Sequence, residues 1–113
     1  MDYQEIDRLI GQLGYSQAAI VKLEALGEPA LRRLFDVVEG AVRIPSGGDP
    51  RDSYTNEAVA LGRLGARHPD VLLALVEGRT DLKLGTIEGL GFTGDQKLKA
   101  IAQVALKTYG NDR

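Results

Sequence analysis

One histidine, His68, stands in the 113-residue chain, immediately before Pro69 at the start of a helical stretch. A metal ligand or catalytic base needs partners, and no His-x-x-x-His, Glu-x-x-His or cysteine pairing surrounds it, so a turn or capping role is expected. Cysteine is absent, which removes disulfides, thiolate metal sites and a cysteine nucleophile. Ser16, Ser46 and Ser53 have no histidine near them in sequence and lie at helix starts or in a loop, where a hydroxyl caps backbone N–H groups. Pro45-Ser46-Gly47-Gly48 and Gly91-Phe92-Thr93-Gly94 lack the spacing, the Lys-Ser/Thr pair and the preceding strand of a phosphate loop. The expectation is a chain that is no enzyme and holds neither metal nor cofactor.

What remains for recognition is charge at helical spacing. Arg32, Arg33, Asp36 and Glu39 on a third helix, Asp70 and Glu77 on a fifth, and Lys97, Gln103 and Lys107 on a seventh form a polar ladder if those helices stack as one layer. Asp49, Arg51 and Tyr54, in or beside a glycine-rich loop over 45–53, make a second candidate surface, because irregular segments on a rigid scaffold often carry recognition. The stretch Ile87-x-Gly89-Leu90-Gly91-x-x-Gly94, with Lys97 and Lys99 beyond it, looks like a helix-hairpin-helix that binds the DNA backbone. Its Gly-x-x-Gly spacing departs from the Gly-x-Gly of that motif, and Asp95 would repel a phosphate there, so nucleic acid is disfavoured.

With a formal net charge of -2, nothing in the overall electrostatics recruits nucleic acid or an anionic membrane. No apolar stretch approaches the roughly 18 residues of a membrane span, and Met1-Asp2-Tyr3-Gln4-Glu5 is acidic where a signal peptide is basic. A cytoplasmic protein without membrane contact is expected.

The elements that must position these residues are helices. Ile6, Leu9, Ile10 and Leu13 give a first helix over 3–13, with Glu5 and Asp7 complementing the helix dipole. Ser16 is placed as the N-cap of a second helix whose Ala19, Ile20, Leu23 and Leu26 face inward, and Gly27 ends it. Glu28-Pro29 opens the third, since proline is tolerated in a first turn; Leu31, Leu34, Phe35 and Val38 are its core face. Ala41, Val42 and Ile44 extend that helix or tuck beneath it. A fourth helix from Tyr54 to Leu64 is stopped by Gly65, and a fifth from Pro69 is stopped by Gly78. The sixth covers 81–90 and the seventh 95–109, with Gly110 as its stop. The chain is therefore expected to be a single all-α domain of roughly seven helices, 1–113.

The same pattern recurs along it. Leu23-x-x-Leu26-Gly27 through Val38-Glu39-Gly40 lies 38 positions before Leu61-x-x-Leu64-Gly65 through Val76-Glu77-Gly78, and Ala60-Leu61-Gly62 aligns with Gly89-Leu90-Gly91 at 29 positions. The difference is about the length of the glycine-rich loop, so one insertion explains it. Leu90-Gly91-x-x-Gly94-Asp95, followed by alanine and leucine at helical spacing, resembles the repeat unit of the HEAT-like proteins first described in phycobilisome lyases. The resemblance covers about residues 16 to 107. It implies a short α-α superhelix, or solenoid, of about three hairpins over 16–40, 54–78 and 81–109, with a cap helix over 3–13 and an inserted loop over 41–53. The pairing phase of the first three helices stays open.

Gly62, Ala60, Gly85 and Gly89 inside helices imply that helices approach closely there, because each glycine costs about 1 kcal/mol relative to alanine. HEAT-like proteins that bind iron use repeated His-Glu pairs, which this chain lacks. The function so implied is a non-catalytic protein-interaction module or scaffold that binds another protein along its concave face. Other readings are an accessory lyase-type subunit or prosthetic-group chaperone, a nucleic-acid binder through the last hairpin, and a homodimer formed through the apolar ends of the stack.

Overall fold

Pro69 shows how local chemistry sets this fold. The residue before a proline is pushed out of the helical region, and His68 sits at φ -133°, ψ 60°, so one helix ends and the next begins within two residues. In the computed structural model, which describes residues 3–13, 16–44 and 56–111, seven such helices are found and no strand among the described residues. They are α1 Gln4–Gly11, α2 Ala18–Leu26, α3 Glu28–Val38, α4 Asn56–Arg67, α5 Pro69–Val76, α6 Leu84–Phe92 and α7 Gln96–Asn111.

The chain turns on glycines in the left-handed region: Gly27, Gly40, Gly78 and Gly94 all have φ between 77° and 83°, where a Cβ is penalised. At Gly40 the N–H groups of Ala41 and Val42 both reach back to the Asp36 carbonyl, which closes α3 and lets Ile44 pack against the core. Of the two courses open to that segment, it tucks rather than extends. Three expected helix ends are displaced: α7 runs through Gly110 to Asn111, and α4 and α6 run past Leu64 and Leu90. Gly65 does not end α4; it is buried within it, with Thr93 Cγ2 3.1 Å from where its Cβ would be and Leu72 closer still. Gly91 lies within α6, and Gly94 makes the reversal instead. Ser16 is not a side-chain cap, since α2 starts at Ala18 without one. The start placed at Tyr54, and Ser46 and Ser53 as capping or loop residues, fall outside the described residues.

One core joins all seven helices. Leu9, Ile10, Leu23, Leu31, Leu34, Leu61, Leu64, Leu72, Leu90 and Leu98 are essentially inaccessible to solvent, and each such side chain contributes about 1.5–3 kcal/mol by leaving water. α2, α4 and α6 touch in succession, and so do α3, α5 and α7. The two rows differ in intimacy: α4 lies closest to α6, while α5 meets α3 and α7 over small areas. Glycine makes the difference. A Cβ on Gly62 would overlap Phe92 Cβ and sit 2.9 Å from the Gly89 carbonyl oxygen; one on Gly89 would sit 2.9 Å from Leu61 Cδ2 and 3.1 Å from the Ala58 carbonyl oxygen. α3 also reaches α6, so the first and last of the three expected hairpins meet.

Gly62→Ala should therefore lower stability by about 2 kcal/mol, the overpacking cost exceeding the gain in helix propensity. Gly91→Ala, with nothing within 4 Å of the added methyl, should raise it by about 0.5–1 kcal/mol. Urea titration followed by circular dichroism reads both.

Candidate partner-binding face

The ladder of charged residues divides into those used by the fold and those left to solvent. Arg33, on α3, makes a two-pronged contact with Asp7 of α1, Nε to Oδ1 at 2.8 Å and Nη2 to Oδ2 at 2.9 Å, and its guanidinium lies 4.4 Å from the Tyr3 ring centroid. The hydrogen bonds to Asp7 hold the Arg33 pKa above its ordinary value. Arg33 thereby clamps α1 onto α3 and is only 21 % exposed.

Glu39 is more deeply committed. Its carboxylate accepts from Arg79 Nη2 at 3.0 Å on one oxygen, and from Lys83 N–H at 2.8 Å and the Thr86 hydroxyl at 2.6 Å on the other. Lys83 is the N-cap position of α6 and Thr86 its third residue. A carboxylate from the end of α3 thus caps α6 across 44 positions of sequence, taking the Lys83 N–H, which has no partner within the helix, and meeting the positive end of its dipole. Arg79 is held in turn by Asp81, at 3.0 and 3.1 Å. That bond raises the Arg79 pKa and lowers that of Asp81. The arrangement explains why α6 begins at Leu84 and not near Asp81, where the apolar spacing had placed it.

Arg32 is exposed and near Glu28 at 3.6 Å, an i,i+4 pair open to water. Such a pair contributes little. Asp36 is half-buried, while Asp70, Glu77, Lys97, Gln103 and Lys107 are exposed. On α7 the lysines at 97, 99 and 107 share their helix with no carboxylate. The α3–α5–α7 row therefore keeps Arg32 at one end and the α5 and α7 residues at the other. Asp49, Arg51 and Tyr54 lie outside the described residues.

The last hairpin bonds two of its amides to its own side chains. Thr93 Oγ1 donates to the Leu90 carbonyl and accepts the Asp95 N–H at 3.2 Å, and Asp95 Oδ1 accepts the Leu98 N–H at 3.0 Å. Asp95 is thus the N-cap of α7, which starts at Gln96. The amides a phosphate would seek are partly taken, and a carboxylate sits among them. His68 occupies the N-cap position of α5 without a side-chain cap bond, which leaves it a turn residue.

Two acidic residues escaped notice in the sequence. Glu24 of α2, with its side chain 7 % exposed, faces two arginines of α4: Arg67 Nε is 2.5 Å from Oε2, and Arg63 Nη2 is 2.7 Å from Oε1 without hydrogen-bond alignment. Glu88 of α6 has a buried Oε2 without a hydrogen-bond partner, and burial raises its pKa. Among the described residues no group of three or more His, Cys, Asp or Glu is arranged to hold a metal ion, and no helix is long and apolar enough to cross a membrane. No protein-family model matches the sequence, and neither a curated protein nor a solved structure matches it.

Two consequences are measurable. Glu39→Ala should cost about 1–3 kcal/mol in urea unfolding, since it removes charge-assisted bonds and uncovers the N-terminus of α6; Arg32→Ala, a surface change, should stay within about 0.5 kcal/mol. For Glu88, a raised folded-state pKa means that the native state holds the proton more tightly, so this carboxyl lowers stability progressively as pH rises from 4.5 to that pKa and by a constant amount above it. Glu88→Gln should raise the melting temperature at pH 7, and the gain should vanish below the ordinary glutamate value of 4.5.

Proposed function

We propose that the chain is a non-catalytic protein-interaction module, a short α-α superhelix of about three hairpins. The α2–α4–α6 and α3–α5–α7 rows would be its two layers, preceded by α1 as a cap. Successive contacts within each row support that reading; in such a stack each hairpin buries the apolar stripe of its neighbour.

The observation that carries the binding role is the contrast within one row. Arg33 and Glu39 of α3 are absorbed by intramolecular bonds, whereas Asp70, Glu77, Lys97, Gln103 and Lys107 of α5 and α7 stand exposed on helices whose inward faces already pack. Opposite charges on neighbouring helices suit a partner of mixed charge, which electrostatic complementarity would orient and select. The partner is another protein, and the mechanism is shape and charge matching along the α5 and α7 surface, with Arg32 at its edge.

Pull-down of binding proteins from the native source, identified by mass spectrometry, tests this. Lys97→Glu with Lys107→Glu should lose the captured partner by at least tenfold while the circular dichroism spectrum and melting temperature stay unchanged. Unchanged capture would refute the surface. Arg33→Glu should instead lower the melting temperature, because it breaks the α1–α3 clamp.

A further inference from the structure

The composition and exposure of α2 are at odds. Seven of its nine residues, in Ala-Ala-Ile-Val-Lys-Leu-Glu-Ala-Leu, are apolar, and a helix apolar on all sides normally has neighbours on all sides. Only Ala19, Ile20 and Leu23 are buried; Val21 is 58 % and Leu26 41 % exposed, and Ala18 and Ala25 face solvent as well. Ala18, Val21 and Ala25 fall at i, i+3 and i+7, a continuous stripe along one side. At the i+6 position, Glu24 reaches α4 and marks the edge of that stripe.

The edges of the stripe are basic. Along α4, Arg63 and Arg67 converge on the single carboxylate of Glu24, with side chains 49 % and 61 % exposed. Two guanidinium groups on one carboxylate leave one positive charge uncompensated and several N–H donors directed at water. On the other side Lys22 is exposed, and the nearby Glu5 is already bonded to Arg8 at 3.1 Å.

We propose that this α2–α4 surface is a second docking site, distinct from the α5 and α7 surface, and that its occupant is an amphipathic helix of another protein bearing carboxylates beside its apolar face. The small side chains Ala18 and Ala25 admit close approach of a helix, Val21 and Leu26 supply apolar area, and Arg63, Arg67 and Lys22 take carboxylates from the rim. A second copy of this chain fits poorly, because a two-fold axis through α2 would bring Lys22 and the two arginines of each copy together. Nucleic acid also fits poorly: the centre of the surface is alanine and valine, and Glu24 lies between the arginines.

The test uses fluorescence anisotropy with the full chain and three labelled probes: an amphipathic helical peptide with leucines on one face and six flanking glutamates, the same peptide with glutamines, and a single-stranded oligonucleotide of equal charge. The proposal expects the acidic peptide to bind at least tenfold tighter than the other two. Val21→Glu should weaken it at least tenfold with an unchanged melting temperature, and Arg67→Ala about threefold to tenfold with a lowered one, because Glu24 loses a hydrogen-bond donor. Lys97→Glu should leave it unaltered, which separates this surface from that of α7. Equal binding of the oligonucleotide, equal binding of the glutamine peptide, or no binding of the acidic peptide would overturn the proposal. So would a dimer in light scattering that Val21→Glu dissolves.

Discussion

The close approach of α4 to α6 is the constraint on which the rest of the structure depends. Gly62 and Gly89 let backbone approach backbone, with the Gly89 carbonyl oxygen 2.9 Å from where a Cβ of residue 62 would be. Glycine at two mid-helix positions weakens each helix in isolation. The contact offsets this by burying Ala60, Leu61, Ile87 and Leu90 in one continuous core. Because α4 also touches α2, α3 and α5, fixing it against α6 sets the position of most of the chain. The unequal spacing of the rows follows, since α3, α5 and α7 carry no comparable glycine seam and stand further apart.

Charge then locks what packing has brought together. The Glu39 carboxylate joins the end of α3 to the start of α6, Arg33 joins α3 to α1, and Glu24 joins α2 to α4. Each link spans 26 or more residues of sequence, and each involves a half-buried or buried group whose truncation would leave its partner unpaired. These links select one arrangement of helices that apolar burial alone would leave degenerate, because leucine faces accept several registers whereas a carboxylate with three donors accepts one.

The helices were legible in the sequence and their long-range partners were not. Periodicity identified the inward faces of α1 and α3, and Gly27 and Gly78 marked true turns, because these signals act over one or two helical turns. Gly65 misled because a glycine needed for packing and a glycine needed for a positive φ are the same letter; only the neighbouring Leu72 and Thr93 distinguish them. The start of α6 misled for a related reason, since its cap comes from Glu39, 44 residues before Lys83. Of the candidate ladder, Arg33 and Glu39 were placed on the surface by the helical period, which separates polar from apolar faces but cannot say whether a polar face meets water or another helix. The exposed stripe of α2 escaped for the converse reason: Leu26 reads as core by spacing, and its exposure depends on what α2 fails to meet.

A net charge of -2 conceals this organisation. Acidic residues that face inward or sideways, such as Glu24, Glu39 and Asp7, are matched by arginines, while the lysines of α7 have no carboxylate on their own helix. The field that an approaching molecule meets is set by the charges left exposed, since paired charges cancel within a few ångströms and exposed ones act over about a Debye length of 8–10 Å. Counting residues therefore understates the local positive character of α7 and of the α2–α4 edge. A chain neutral in sum can present surfaces of definite sign, and the sign follows from which residues the fold has already used.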